Sequence, residues 1–183
     1  MFRELTRQET TIVRREFNRW GIYEYIKDKD FVIKENKTNK KELFIIPLPL
    51  NDFIFSSQSF YGGLQMGFLK KKIFLPSLHF FSIVSKFGRD FPYVIVDNRS
   101  EQLILYGKDI FGNSIIDASP NIDQNSILLI LNKSKEFLGI GRSKYETAKI
   151  KSEGIVTVYT LSDLGGYLRF ENNSGLYSKS GNI

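Results

Sequence analysis

The chain of 183 residues contains no cysteine and a single histidine. Without cysteine there is no disulfide bond, no cysteine-ligated zinc or iron–sulfur site and no thiol catalysis. The sequence also lacks any run of about 18 apolar residues, the length that a membrane-spanning helix needs. Its first residues do not form the apolar segment of a signal peptide. We therefore expect a soluble, cytoplasmic protein without a membrane partner.

Motifs for catalysis are missing as well. The sequence has no HExxH or GxSxG pattern and no pair of histidines for acid–base chemistry. His79 has no carboxylate close to it in sequence, which favours a packed or surface histidine over a ligand or a base. Residues 139–144, Gly-Ile-Gly-Arg-Ser-Lys, match neither phosphate-loop spacing and indicate a strand edge and a turn. We expect no enzyme activity, no cofactor and no metal.

Positive charge is concentrated in the first half of the chain. Lysine and arginine number 26 against 20 acidic residues, a formal net charge of +6. Residues 1–92 contain 16 basic and 10 acidic residues, whereas residues 93–183 contain 10 of each. A basic balance of this size fits a polyanionic partner such as RNA. Many basic proteins bind no polyanion, so charge alone leaves both interpretations open.

Local patterns in the first half predict helices mixed with short strands. Thr6 and Glu9 have the spacing of a capping box, which predicts a helix over residues 7–19. Pro76 and Ser77 mark the start of a second helix, over 78–87, whose apolar residues on nearly every side predict burial. The patterns between the helices predict a hairpin of residues 31–33 and 43–46, a third short strand at 53–55, and two strands around the basic turn Lys70, Lys71 and Lys72.

Residues 88–92 are the expected boundary between two domains, 1–92 and 93–183, because a buried helix ends there. The second half consists almost entirely of short strands, a pattern typical of a small β-barrel. We expect one helical turn at 108–111 and a glycine turn at 165–166. The expected strands are 93–96, 102–106, 114–116, 126–131, 137–140, 154–159 and 168–170.

Four cations of the second half are candidates for an RNA-binding surface. Lys108 would start the helical turn and present a cation together with backbone amides. Arg142 and Lys144 leave a neighbouring strand, and Arg169 lies in the last expected strand. These residues share a face if the barrel closes, but four ordinary solvated cations explain the spacing equally well. Aromatic residues that can stack on bases or pack in the barrel are Tyr106, Phe111, Tyr145, Tyr167 and Phe170.

Three blocks of the second half resemble, in order and spacing, the signature segments of the Nip-seven family of ribosome-biogenesis factors in its archaeal form. They are Glu-Gln-Leu-Ile-Leu-Tyr-Gly (101–107), Gly-Ile-Gly (139–141), and Asp-Leu-Gly-Gly-Tyr-Leu-Arg (163–169) followed by Glu171. In the first half, Leu5-Thr6 with the first helix, residues 67–75 and Leu78 are similar to the N-terminal domain of that family. The resemblance covers most of the chain.

The resemblance implies an α+β protein: an N-terminal α/β domain with a small antiparallel sheet and helices, followed by a PUA-type β pseudobarrel. It implies a non-catalytic factor that binds pre-rRNA through the PUA domain during large-subunit assembly. The implied partners are single-stranded or structured RNA and the pre-ribosomal particle.

Archaeal members of the family have a basic cluster just after the Tyr-Leu-Arg segment. Arg169 matches it here, but Phe170 and Glu171 follow, and Lys179 is the only later cation. The expected RNA contacts therefore extend to other cations, namely Lys108, Arg142, Lys144 and the turn Lys70, Lys71 and Lys72.

A second hypothesis is a protein-interaction adaptor. In that case the N-terminal domain docks on another assembly factor or on the RNA-degrading exosome, and RNA contact is secondary. An RNA-modifying enzyme is disfavoured, because the N-terminal half has no cofactor or nucleophile motif.

Overall fold

The computed structural model describes residues 2–35, 41–47, 54–55, 62–88, 90–166 and 169. The chain forms two compact units, Met1–Phe91 and Pro92–Ile183. Each unit contains its own sheet. Within the described ranges, no helix is long and apolar enough to cross a bilayer.

The first unit contains a five-stranded antiparallel sheet in which each strand pairs with the next in sequence. The connection between the first two strands contains two helices, whereas the fourth and fifth strands are joined by a tight turn. The strands are β1 (Phe2–Glu4), β2 (Asp30–Glu35), β3 (Lys41–Ile46), β4 (Leu64–Lys70) and β5 (Ile73–Pro76), and the helices are α1 (Arg7–Arg19), α2 (Tyr23–Ile26) and α3 (Leu78–Phe87).

Helix α1 begins as the sequence predicts. The Thr6 hydroxyl accepts a hydrogen bond from the Glu9 amide, and the Glu9 carboxylate accepts one from the Thr6 amide, which completes a capping box. Phe17 of α1 is fully buried, and its ring centroid lies 5.6 Å from that of Phe74 and 5.3 Å from that of Phe80. α1, β5 and α3 therefore meet in one aromatic cluster.

The Glu9 carboxylate also joins three separate parts of the first unit. Arg3 of β1 donates to it through Nη1 and Nη2, at 2.8 and 2.9 Å, and Lys41 of β3 donates through Nζ at 2.9 Å. The bond from Arg3 is the main reason why the pKa of the buried Glu9 lies well below its usual range. The charged form of Glu9 thus stabilises the start of α1 against the sheet.

One predicted strand of the first unit is wrong. Ile54 and Phe55 have helical backbone, whereas Phe53 lies outside the described residues. Ile54 is buried in a cluster that includes Phe2 and Phe44. The β-branched side chain fits a strand by propensity, but tertiary packing decides the backbone conformation here.

Helix α3 starts at the predicted position, where the Ser77 hydroxyl accepts from the Phe80 amide. Phe80, Phe81 and Val84 are buried, as expected. The prediction of burial on nearly every side is wrong for Phe87, whose ring is exposed. Only one face of α3 belongs to the core.

The second unit contains a six-stranded sheet in the order β7-β11-β10-β9-β6-β8, where β6 and β9 pair in parallel and the other neighbours are antiparallel. These strands are β6 (Tyr93–Val96), β7 (Ile110–Phe111), β8 (Ile115–Ala118), β9 (Ile127–Leu131), β10 (Phe137–Ser143) and β11 (Val156–Asp163). One α-helix, α4 (Asn98–Leu105), and two 3-10 helices, Gly112–Ser114 and Thr147–Lys149, complete the described elements. Its core is aliphatic and includes Val96, Ile104, Leu128, Leu138 and Val158.

Helix α4 replaces the strand that the sequence predicts at 102–106. The Asp97 carboxylate accepts from the Ser100 amide at 2.7 Å and caps the helix start. At the other end Gly107 has φ +72°, a left-handed conformation that favours glycine. Asp97 and Gly107 are helix-end signals that outweigh the β-forming side chains between them.

The last predicted strand, 168–170, is also wrong at the position that the structure describes. β11 ends at Asp163, and Gly166 and Arg169 have helical backbone. The Arg169 amide donates to the Gly165 carbonyl at 3.2 Å, the spacing of an α-helical turn. Leu168 and Phe170 lie outside the described residues.

Candidate nucleic-acid interface

A group of cations and tyrosines lies where β10 and β11 run side by side, with Arg142 and Tyr159 exposed and Lys144 and Tyr145 half-buried. Arg142 on β10 is directly opposite Tyr159 on β11. The Lys144 ammonium lies 6.0 Å from the centroid of the Tyr159 ring and 5.6 Å from that of Tyr145. We call Arg142, Lys144, Tyr145 and Tyr159 the cation–tyrosine face. Tyr159 is 42% exposed, so its ring is open to a ligand.

Strand alternation places Arg142 of this face outward. Ser143, between Arg142 and Lys144, is fully buried. Its hydroxyl donates to the Asp123 carbonyl and accepts from the Ser126 amide at 3.0 Å. Because successive side chains of a strand point to opposite faces, the buried Ser143 orients Arg142 toward solvent. Lys144 lies in the bend that follows β10 and is half-buried.

Lys108 lies beside the cation–tyrosine face on the other side of β11. Its carbonyl accepts from the Thr160 hydroxyl at 2.9 Å, and Asp109 accepts from the Thr160 amide at 2.9 Å. Thr160 directly follows Tyr159, so the Lys108 backbone lies close to that tyrosine. Of the predicted cations, the structure thus brings Arg142 and Lys144 to one face and holds the backbone of Lys108 against the next residue of β11.

The predicted helical turn at Lys108 is wrong. Lys108 and Asp109 have no regular secondary structure, and β7 begins at the next residue. The Lys108 amide donates to the Leu103 carbonyl and the Gly107 amide to the Ile104 carbonyl. These two bonds form the Schellman motif that ends α4. The Lys108 amide is thus occupied, and its expected role as an anion donor is lost.

Arg169 is held by an acidic partner inside its own unit. Its Nη1 and Nη2 donate to the two oxygens of Asp163 at 2.9 and 2.7 Å, and Nη1 also donates to the Leu105 carbonyl. The Asp163 side chain is 4% exposed and that of Arg169 is 37% exposed. The bond to Asp163 raises the pKa of Arg169 above its usual value. These contacts fix the end of α4 to the end of β11.

Gly165 explains why two of the sequence blocks meet closely. A Cβ atom at Gly165 would lie 1.9 Å from the Leu105 carbonyl oxygen. At this position only glycine lets the turn after β11 approach the last turn of α4. Arg169 then reaches the Leu105 carbonyl, one of the groups that a helix end leaves without an intrahelical partner.

The remaining predicted cations lie elsewhere. The predicted basic turn is present in the first unit: Lys70 is the last residue of β4, and the exposed Lys71, with φ +54°, and Lys72 form the turn to β5. Lys179 lies outside the described residues, as does the tyrosine at position 167. Among the described residues no group of three or more potential metal-ligating side chains comes together.

Tyr159 is the residue of this face that sequence reasoning missed. Tyr145 is one of the aromatic residues that the sequence offers for stacking or packing, and it lies beside Lys144. Tyr159 is not among them, although the alternation of Val158 and Tyr159 in the predicted strand is a signal for an outward aromatic ring. Its pairing with Arg142 follows from register, which the sequence does not specify without the partner strand.

The near-barrel sheet of the second unit has the fold of PUA-type domains, and PUA domains generally bind RNA. The model for the UPF0113 PUA domain matches residues 92–172, and that for the NIP7/UPF0113 pre-PUA domain matches residues 2–78. The chain belongs to the NIP7/UPF0113 family. The resemblance seen in the sequence blocks and the α+β fold class are both confirmed.

Three known proteins illustrate this similarity. A UPF0113 protein of Archaeoglobus fulgidus is 30% identical over 174 residues, which cover 93% of this chain and 95% of the relative. A conserved PUA domain protein from Thermoplasma acidophilum has a TM-score of 0.65 at 16% identity, covering 92% of this chain and 97% of that one. A PUA domain from Aeropyrum pernix K1 has a TM-score of 0.61 at 13% identity, and the match covers 92% of this chain and 88% of that one. The two structures support the fold.

Proposed function

We propose that this protein is a non-catalytic, cytoplasmic RNA-binding factor that binds pre-rRNA through its PUA domain during assembly of the large ribosomal subunit. The observation that carries the RNA-binding part is the cation–tyrosine face. In the described part of the chain, neither Arg142 nor Lys144 has an ion pair, so both charges are available to phosphates. Membership of the NIP7/UPF0113 family supports the ribosomal part.

The chemistry of the face favours unpaired RNA. Tyr159 offers an exposed ring on which a base can stack, and a base is free to stack on a side chain only when it has left a helix. Arg142 stands directly across from this ring, where its guanidinium can bind a phosphate oxygen through two donors. An RNA contact by Lys108, whose carbonyl is bonded to Thr160 of β11, is part of the same proposal. RNA contacts by Arg169, Lys179 and the turn Lys70, Lys71 and Lys72 remain predictions.

Titration of the full chain with a single-stranded RNA of about 12 nucleotides, at several salt concentrations, tests this proposal. If Arg142 and Lys144 each contact a phosphate, replacing either with alanine weakens binding and reduces the log–log salt slope by about 0.7. Lys133→Ala is the matched control, because Lys133 is an exposed cation that follows β9, near the other end of β10. Equal weakening by Lys133→Ala would contradict a contact at this face, and no binding at low salt would contradict the proposal itself.

RNA crosslinking in cells followed by sequencing tests the ribosomal part. Recovery of large-subunit precursor RNA would support it. Recovery of unrelated RNAs alone would leave an RNA-binding protein with a different target.

We also propose a second candidate function, an adaptor whose first domain, residues 1–92, docks on another assembly factor or on the exosome. The exposed aliphatic side chains of β5 favour it: Ile73 is 63% and Leu75 44% exposed, next to the Lys70 to Lys72 turn. Contiguous exposed apolar surface is a feature of protein-interaction sites, and these two side chains are the part of β5 that can supply it. Co-purification of the full chain with pre-ribosomal particles after RNase treatment, and its loss in Ile73→Ser, would support an adaptor; retention in Ile73→Ser would contradict it.

A further inference from the structure

The first unit contains a cavity of about 330 Å³ between α1, α2 and β2. Its floor is formed by buried apolar side chains, among them Val13 and Phe17 of α1, Ile26 of α2 and Val32 of β2. This volume lies at the lower end of the range found for small-molecule sites. The floor therefore suits a small apolar or aromatic group.

Three further aromatic residues line the same cavity: Tyr23, Phe31 and Phe55. Phe55 is 40% exposed, so its ring remains open to a ligand. Aromatic side chains that line a concave site and keep part of their surface open provide stacking positions for planar groups. The cavity thus combines a closed apolar floor with an open aromatic ring.

Three exposed cations, Arg14, Lys27 and Lys29, also line the cavity. Lys27 is paired with Glu24 at 2.7 Å, and the Lys29 ammonium lies 5.7 Å from the Tyr25 ring. For Arg14 the described residues supply no hydrogen-bond or ion-pair partner, so its guanidinium is the cation most open to an anionic ligand. An apolar floor with cations around it selects a ligand that is both flat and anionic.

We propose that this cavity binds one unpaired nucleotide of RNA, with the base on the aromatic lining and the phosphate at Arg14. A guanidinium binds phosphate through two donors in a fixed geometry, which a lysine does not. The proposal extends the proposed RNA-binding function to a second contact in the pre-PUA domain, and it rests on that function for the identity of the polymer.

Two carboxylates in the lining favour a nucleotide over an acidic peptide. Glu4 and Asp30 belong to the same cavity as the cations. Carboxylates accept hydrogen bonds from amino groups of bases, as in the contact with cytosine N4. Carboxylates repel phosphate and carboxylate anions alike, so they favour a ligand that carries one anionic group beside a polar base over one that carries several anionic groups. The mixture of charges therefore matches a base with its phosphate better than a chain of acidic side chains.

Nuclear magnetic resonance of the full chain tests this site with AMP, CMP, GMP and UMP as probes at millimolar concentrations. We expect amide shifts at cavity residues such as Thr10 and Tyr23, and weaker shifts with adenosine, which lacks the phosphate. Arg14→Ala should lower AMP affinity about tenfold, the value of one charged hydrogen-bonded contact. Arg14→Lys should recover only part of this loss.

Arg7→Ala is the matched control, because Arg7 is an exposed arginine of the same helix and does not line the cavity. It removes the same charge, so equal weakening by both variants would overturn the site. Absence of mononucleotide shifts at the cavity would also overturn it. The nucleotide site would also be overturned if a short Glu-rich peptide containing one phenylalanine shifted the amide resonances of the cavity and the nucleotides did not. The cavity would then be a site for protein.

The Arg142→Ala/Lys144→Ala double variant separates this inference from the proposed function. It should weaken binding of the longer RNA and leave AMP binding at the cavity unchanged. Loss of AMP binding in the double variant would overturn an independent site in the first unit. Failure of the long RNA to bind wild-type protein, with AMP binding intact, would instead reject the proposed function and keep the nucleotide site.

Discussion

Arg169 and Asp163 form a two-bond ion pair in which both carboxylate oxygens accept from the guanidinium, at 2.9 and 2.7 Å. Asp163 is buried at the end of β11, and Arg169 simultaneously binds the Leu105 carbonyl at the end of α4. Arg169 therefore connects the block 163–169 to the block 101–107, although the two are separated by more than half of the residues of the second unit. Arg169 has a structural role whether or not RNA also contacts it.

We predict that Arg169→Ala destabilises the second unit by about 2 kcal/mol or more, because it leaves a buried carboxylate without its partner. Urea unfolding followed by circular dichroism measures the loss. In an Asp163→Asn background the same substitution should cost less, since the unpaired charge is gone. Unchanged stability of Arg169→Ala together with lost RNA binding would instead make Arg169 primarily an RNA contact.

A second prediction concerns Gly165. In Gly165→Ala the new methyl group would meet the Leu105 carbonyl oxygen at 1.9 Å, and the obstacle is backbone rather than a flexible side chain. We expect a loss of about 1–3 kcal/mol in the free energy of unfolding, typical of overpacking. Gly154→Ala is a useful comparison, because its Cβ meets nothing within 4 Å but its φ of +74° strains any L residue. If Gly165→Ala were as stable as wild type, the close approach would be absent in solution.

The third prediction is a pH dependence of the first unit. Folding lowers the pKa of Glu9 from its ordinary value of 4.5, because Arg3 and Lys41 bind its charged form. The unfolded chain thus takes up the proton first, and the stabilisation is present above about pH 4.5 and is lost as the pH falls below it. Glu9→Gln should be less stable than wild type near pH 7, by about 2 kcal/mol.

Chemical denaturation at a series of pH values checks this. The difference between wild type and Glu9→Gln should shrink as the pH falls below the ordinary glutamate pKa. Glu24→Gln serves as control, since Glu24 is an exposed partner of Lys27 and such surface pairs contribute little. If the stability difference between wild type and Glu9→Gln stayed constant down to acid pH, the charge of Glu9 would not contribute to the stability of the first unit.

The sequence predicts best where one local rule decides the structure. The capping box of Thr6 and Glu9, the serine cap of α3 and the basic turn at Lys70 to Lys72 depend only on neighbours in the chain. Strand periodicity alone predicts only a small β-barrel for the second half. The resemblance to the family blocks is needed to predict a PUA-type fold.

Prediction failed where helix-end signals competed with β-forming side chains. Residues 102–106 contain apolar residues that suit a strand, yet Asp97 and Gly107 provide both ends of a helix. The role of Arg169 was missed for another reason: its partners, Asp163 and Leu105, come together only in the folded chain. Long-range partners of this kind are invisible to local patterns.

The fourth prediction compares two threonines of β11. Thr157 is fully buried, and its hydroxyl finds no hydrogen-bond partner among the described residues. Thr157→Val should therefore be neutral or raise stability by up to about 1 kcal/mol, because it removes an unsatisfied polar group at nearly constant shape. Thr160→Val should cost about 1 kcal/mol, because the Thr160 hydroxyl donates to the Lys108 carbonyl. Thermal unfolding of both variants checks the pair, and a strongly destabilised Thr157→Val would indicate a bound water or another partner.

The last prediction separates stacking from charge on the cation–tyrosine face. Tyr159 lies across from Arg142 and under the Lys144 ammonium, so a base bound there would contact both the ring and the cations. Tyr159→Ala should weaken single-stranded RNA binding by about tenfold, within the range measured for loss of one stacked base. Tyr159→Phe keeps the ring and should bind within about twofold of wild type.

Salt dependence distinguishes this effect from loss of a phosphate contact. Tyr159→Ala should shift the log–log plot of affinity against salt without changing its slope, since no counterion is released at a neutral ring. Lys144→Ala should change the slope as well as the affinity. Tyr145→Ala tests whether the second tyrosine supplies another stacking position or only holds Lys144. An unchanged affinity in Tyr159→Ala would restrict the face to electrostatic contacts and remove the reason to expect a preference for unpaired RNA.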